Sequence, residues 1–155
     1  MIPILLLAAL HPQVMIFVRT DCPVSNSYAP EVKRLYEVYK VKGIDFQLIY
    51  SEPGLTEVGM RKHLAEYGYA IPAERDEKHR FSKPAGATVT PQAVVFVNGK
   101  IVYKGRIDDR FGAIGKSRQT ASGRDLEEVL NMIVAGKQIR SRVTKAVGCA
   151  IEPFQ

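Results

Sequence analysis

Cys22 and Cys149 are the two thiols of this 155-residue chain, and they are the residues best suited to do chemistry. A thiolate attacks disulfide sulfurs and peroxide oxygens, and it forms more readily where backbone N–H groups or nearby cations lower its pKa. Cys22 lies in Thr20-Asp21-Cys22-Pro23-Val24-Ser25, a turn and helix-start cluster that directly follows the apolar run V-M-I-F-V-R at residues 14–19. A thiol at such a junction faces unpaired N–H groups and the positive end of the helix dipole. The carboxyl edge of a sheet is also where α/β folds present reactive groups. The commoner fate of a free cysteine is to pack inertly as a small hydrophobe; here the placement argues for a reactive one. The two cysteines are too far apart for a C-x-x-C zinc pairing or a dense disulfide framework, so they act singly or as one long-range pair.

The elements that must position these thiols follow from the pattern. Residues 14–19 read as a strand buried on both faces. Tyr28, Val32, Leu35 and Tyr39 then recur at helical spacing up to Gly43, with Pro30 expected to kink the first turns. Residues 44–50 (I-D-F-Q-L-I-Y) form a second strand, and a second helix runs over 55–67 with Gly68 as its stop. The charge-rich stretch 72–83 reads as a solvated loop or short exposed helix. Strands 93–97 and 101–103 flank Asn98-Gly99, a strong type I′ hairpin signal. A polar stretch follows. Ser122 and Asp125 have capping-box spacing before a last helix carrying Leu126, Val129, Leu130, Ile133 and Val134, which stops at Gly136. The expected order is β-α-β-α-β-β-α with a tail over 137–155, an α/β fold whose first strands are parallel and whose hairpin is antiparallel.

Composition sets the outer bounds. With 46% hydrophobic and 25% charged residues the chain is an ordinary globular domain with one core. The net charge of +6 comes from scattered basic residues, not from the basic face interleaved with aromatics that nucleic acids require. The longest apolar run, residues 4–10, is far short of a membrane span. That run resembles the centre of a secretory signal but lacks a basic leader and a clean cleavage site. A signal-like segment and a buried first element both stay open, and with them an extracytoplasmic or a cytoplasmic location. His11, His63 and His79 share no ligand spacing with one another or with the cysteines, so no metal site is expected. Asn26 occupies the position where a C-x-x-x-C copper motif needs its second cysteine. Gly115-Lys116-Ser117 lacks the earlier glycine of a phosphate loop, which here is Arg110.

These residues together resemble the thioredoxin superfamily, and within it the peroxiredoxin-like redoxin branch. Cys22 matches the attacking cysteine, Pro30 the helix-kinking proline, and Thr90-Pro91 the cis-proline segment that faces that cysteine across a substrate groove. The run 102–110, the later Gly123-Arg124-Asp125-Leu126 and Ala135-Gly136-Lys137, and the closing Val147-Gly148-Cys149-Ala150-Ile151 are similar to the C-terminal half of that branch. The resemblance implies a thioredoxin-like domain over 14–136, preceded by the segment 1–13 and followed by a tail, 137–155, carrying Cys149. It implies a thiol-dependent oxidoreductase with no cofactor, acting on a protein or small-molecule disulfide, or on a peroxide, and recycled by an external thiol. A groove of Thr20, Pro23, Ser25, Thr90 and Pro91 would hold an extended substrate, and Arg19 and Arg106 are candidates to add positive charge near the thiolate. Two departures bear on mechanism. Ser25 stands where a dithiol site has its second cysteine, and Arg19 stands where peroxiredoxins carry a threonine three residues before the attacking cysteine. The missing partner falls to Cys149 or to an external thiol. At ~3.6 Å per residue, the stretch from Gly136 to Cys149 is long enough to return across the ~20 Å that a last helix covers. A non-catalytic module that binds an extended peptide beside Pro91 is the alternative.

Overall fold

A computed structural model describes residues 11–113 and 115–153. The signal-like segment falls almost wholly outside them. The framework is a six-stranded mixed sheet in the order β3-β2-β1-β5-β6-β9. Its strands are β1 (Pro12–Val18), β2 (Asp45–Tyr50), β3 (Ala73–Arg75), β5 (Gln92–Val97), β6 (Lys100–Gly105) and β9 (Arg142–Val143). β1 is parallel to β2 and antiparallel to β5. The expected α/β fold, with parallel strands and an antiparallel hairpin, is present.

The unbroken apolar run of β1 reflects burial on both faces. Val14, Ile16 and Val18 point into the larger core cluster, while Met15 and Phe17 pack with Ile49, Ala85 and Val94 in a smaller one on the opposite face. Helices α2 (Ala29–Lys40) and α5 (Asp125–Val134) close the larger face with Val32, Leu35, Leu126, Val129 and Leu130. Val134, expected in that stripe, is largely exposed. The kink expected from Pro30 is a break. A short α1 (Pro23–Ser27) ends at Tyr28, and Pro30 sits in the first turn of α2, where a missing N–H costs nothing. α3 (Glu57–Tyr67) is capped by the Thr56 hydroxyl, which accepts from the Gly59 N–H at 3.0 Å, and ends at Gly68. Asn98 and Gly99 both take positive φ, 51° and 78°, as a type I′ hairpin requires.

Three expectations need correction. The stretch 72–83 is built into the domain: β3 adds an edge strand, a 3₁₀ turn (Glu77–His79) and α4 (Ser82–Ala85) follow, and the buried Asp76 carboxylate holds them together. That carboxylate accepts from the Phe81 N–H at 2.8 Å, the Ser82 N–H at 3.3 Å and the Ser51 hydroxyl at 3.2 Å. The capping box is not formed either. Arg124 occupies the cap position, the Ser122 N–H donates to Asp109, and the Asp125 carboxylate binds Arg106 and Arg142 instead. Finally, residues 137–153 are not a loose tail. β9 joins the sheet beside β6, and β10 (Cys149–Ala150) pairs antiparallel with β4 (Val89–Thr90). Two-residue strands carry no hydrophobic period, which is why the pattern does not reveal them. The hairpin of β7 (Phe111–Ala113) and β8 (Lys116–Ser117) stands apart as a two-stranded ribbon, so Lys116 and Ser117 form no phosphate loop.

Because Leu130 is fully buried between α5 and the sheet, Leu130→Ala should lower stability by about 2–5 kcal/mol. Urea titration would show this as a lower midpoint with an unchanged slope.

Candidate active site

The turn that carries Cys22 is held from below by buried polar groups. The Glu52 carboxylate accepts from the Thr20 N–H at 2.6 Å and from the Thr20 hydroxyl at 2.8 Å. The Asn26 amide donates to the Thr20 carbonyl at 2.9 Å, which leaves its oxygen to accept from His63 Nε2 at 2.9 Å. His63 Nδ1 then accepts from the Tyr50 hydroxyl at 2.8 Å, so the network fixes one neutral tautomer. Burial holds the His63 pKa below its ordinary value. Asn26, Tyr50, Glu52 and His63 were not marked by the sequence as site residues, since their pairing depends on elements far apart in the chain.

Cys22 is the N-cap of α1, and its sulfur accepts from the Ser25 N–H at 3.4 Å. The side chain is fully buried. Burial opposes ionisation, but the Ser25 N–H and the neighbouring Cys149, Thr90 and Ser25 side chains together favour the anion more strongly, and the pKa lies below the ordinary 9.0. The Thr90 carbonyl pulls the other way, accepting from the protonated thiol at 3.3 Å. Ser25 Oγ is buried with no partner while Cys22 is a thiol, so it is free to turn toward the anion. The helix-dipole argument is corrected in its cause: α1 has 5 residues, too few for a large macrodipole, and specific donors replace it.

Cys149 arrives from the other end of the chain. It sits directly opposite Thr90 in the β10–β4 ladder, Thr90 Oγ1 donates to its carbonyl at 3.3 Å, and the Thr90–Pro91 bond is cis. Both cysteines are free thiols. Burial, the neighbouring Cys22 sulfur and its charge, and the Asp21 carboxylate push Cys149 up to about 11, against the pull of Arg19. The two thiols are therefore unequal, and the one at the head of α1 ionises first.

The other expected residues divide. Pro23 is exposed in the first turn of α1; Thr90 and Pro91 are buried, and the Thr90 carbonyl accepts from the Cys22 thiol. Arg19 clamps Asp21 with two hydrogen bonds, at 2.9 and 3.0 Å, and reaches the Ala150 carbonyl at 3.2 Å and Glu152 at 3.3 Å, so its charge serves the segment that bears Cys149. Arg106 does not serve the thiolate: its Nε donates to Asp125 at 2.7 Å, the acid left available when the capping box fails to form. The groove expected beside Thr90 is filled by β10. Next to that segment a cleft of about 940 Å³ opens at the carboxyl ends of β2 and β3, lined by Glu52, Leu55, Arg75, Lys78, Glu152 and Pro153 among others. Among the described residues, no group of three or more His, Cys, Asp and Glu side chains could hold a metal ion, and no helix is long and apolar enough to cross a membrane.

Two outcomes follow from this geometry. Alkylation of Cys22 followed against pH in a Cys149→Ala background should titrate at a higher pH than in the parent, because a donor to the thiolate is gone; Ser25→Ala should move it the same way by less. His63, held neutral in the fold, binds its proton more readily in the unfolded chain, so stability is fully present above the unfolded value of ~6.5 and is lost as pH falls through it. Thermal midpoints at pH 7.5 and 5.5 should differ, and His63→Gln should flatten the difference.

The chain matches the redoxin family over residues 8–116. No curated protein sequence matches it. Among solved structures it resembles an uncharacterized conserved protein from Geobacillus kaustophilus, with 26% identity, a TM-score of 0.81, and coverage of 94% of this chain and 78% of that one. A hypothetical protein from Sinorhizobium meliloti 1021 is similar at 21% identity and a TM-score of 0.79, over 92% of this chain and 80% of its own. A secreted disulfide oxidoreductase of Mycobacterium tuberculosis, homologous to E. coli DsbE, shares the fold at 16% identity and a TM-score of 0.54, over 81% of each chain. With the family model matching most of this chain and the thioredoxin-like sheet in place, the chain belongs to the redoxin family.

Proposed function

We propose that the protein is a two-cysteine thiol–disulfide oxidoreductase in which Cys22 is the nucleophile and Cys149 the resolving thiol. The observation that carries this reading is the pairing of Cys149 with Thr90, the same residue whose carbonyl accepts from the Cys22 thiol at 3.3 Å, so that both cysteines meet at Thr90. In thioredoxin-like dithiol sites the resolving sulfur lies one turn along the helix, where this chain has Ser25; here it comes from the opposite wall.

The steps balance as a two-electron exchange. The Cys22 thiolate attacks one sulfur of a disulfide RSSR, a Cys22–SR bond forms, the S–S bond of the substrate breaks, and RS⁻ leaves. Cys149 gives up its proton, attacks the Cys22 sulfur and expels the second RS⁻, which leaves a Cys22–Cys149 disulfide and two reduced thiols. An external dithiol or two monothiols reverse the process and restore both sulfurs. Ser25 Oγ and the Ser25 N–H stabilise the anion from the helix side, and the Glu52–Thr20 and His63–Asn26 bonds keep the turn in place. We favour a disulfide over a peroxide as oxidant because Arg19, at the position of the peroxide-orienting threonine, is committed to Asp21, Ala150 and Glu152. The peptide-module reading loses its docking edge to β10.

Oxidation by oxidised glutathione followed by peptide mass mapping should reveal a Cys22–Cys149 link. Cys149→Ser should accumulate the Cys22–glutathione adduct instead, and Cys22→Ser should abolish turnover. Turnover with hydrogen peroxide but none with oxidised glutathione would reverse the choice of oxidant, and turnover with neither would remove the redox reading.

A further inference from the structure

Resting on the redox reading above, we propose that residues 148–152 form a strap that occupies the strand-docking edge of the active site, so that the reduced protein takes low-molecular-weight disulfides and excludes polypeptide strands.

An extended peptide docks on a sheet edge through main-chain hydrogen bonds, with side chains adding choice. The edge beside Cys22 is that of β4, and its bonding capacity is already spent within the chain. Cys149 and Ala150 pair with Thr90 and Val89, and the Ile151 N–H donates to the Thr88 carbonyl at 2.9 Å. The fit at the first residue of the strap is close. A Cβ on Gly148 would collide with the Thr90 carbonyl and press on the Pro91 ring, so only glycine lets the strand lie this near.

The far end is held by two unrelated contacts. Ile151 packs against the smaller core cluster that includes Phe17, Ile49 and Val94. Arg19, itself fixed by Asp21, grips the Ala150 carbonyl and the Glu152 carboxylate. A strand held at both ends and paired between them must be lifted as a unit before a foreign strand takes its place.

A small disulfide faces a lower barrier. Cys22 is fully buried, whereas Cys149, which covers it, is partly exposed. Rotation of that one side chain uncovers the Cys22 sulfur without lifting the strap. The cleft of about 940 Å³ borders Glu152 and Pro153 at the far end of the strap; it is of the size that holds small molecules.

The test compares two probes with the same leaving group, the cysteine–thionitrobenzoate mixed disulfide and a short extended peptide carrying that group on a central cysteine. In each reaction the Cys22 thiolate bonds to the probe's cysteine sulfur and coloured thionitrobenzoate is released. The parent protein should consume the small probe roughly tenfold or more faster than the peptide, a ratio set by the cost of local opening. Gly148→Ala, which retains both thiols, should bring the two rates within about threefold of each other by releasing the strap. Glu152→Gln, which loosens Arg19 without touching the ladder, should give an intermediate ratio and serves alone if the alanine variant does not fold.

Equal rates in the parent, or a peptide still excluded in the variants, would overturn the strap. Release of no thionitrobenzoate from either probe by any form would overturn the redox reading on which it stands.

Discussion

The antiparallel pairing of Cys149 with Thr90 is the constraint on which the site depends. It joins the C-terminal end of the chain to the residue that precedes Pro91, and Thr90 in turn faces Cys22. Without it the sulfur at the head of α1 would have the Ser25 N–H at hydrogen-bond distance but no second thiol nearby. Every other feature of the region follows from holding that contact: Gly148 allows the approach, Ile151 seats the far end in a core cluster, and Arg19 ties the strap to the turn that carries Cys22.

A buried thiol and a reactive one are usually different residues, because burial penalises the charged form. Cys22 is both. The desolvation cost is offset by polar groups around the sulfur, of which the Ser25 N–H is already aimed at it and the buried Ser25 hydroxyl is free to turn toward it. Those donors keep their positions through a second set of contacts. Thr20 is pinned by Glu52 and by Asn26, and Asn26 is fixed by a histidine that the fold keeps neutral. A charged His63 would still offer a proton to Asn26 but would lose its acceptance from Tyr50, so the neutral form suits both neighbours.

Much of the framework was legible because its cues are local. The run V-M-I-F-V at residues 14–18 signals two-sided burial, Asn98-Gly99 signals a tight hairpin, and Leu126, Val129 and Leu130 mark a helix face. Cys22 was legible for the same reason, since strand, turn and helix start are consecutive. The strap was not. Gly148 and Cys149 reach their places through contacts with Thr90, and no period in five residues announces that. Arg106 illustrates the opposite case: it was a candidate to add charge near the thiolate, but it pairs with Asp125, and a charge goes to the partner that neutralises it at hydrogen-bond distance. The acidic and basic residues of 74–80 misled in another way, because one of them, Asp76, is buried as the anchor of the segment while its neighbours are solvated.

Within the proposed cycle the inequality of the two thiols changes with redox state. Four influences keep Cys149 protonated in the reduced protein: its burial, its hydrogen bonding to Cys22, the negative charge of Cys22, and that of Asp21. Once Cys22 is held in a mixed disulfide, its sulfur carries no charge and is a poor acceptor, so the second and third influences vanish together. Burial and the Asp21 charge then oppose the pull of Arg19, and the resolving thiol becomes easier to ionise at the step that consumes it. The same contact thus restrains Cys149 before the first attack and releases it afterwards, with no movement of the strap required to switch between the two.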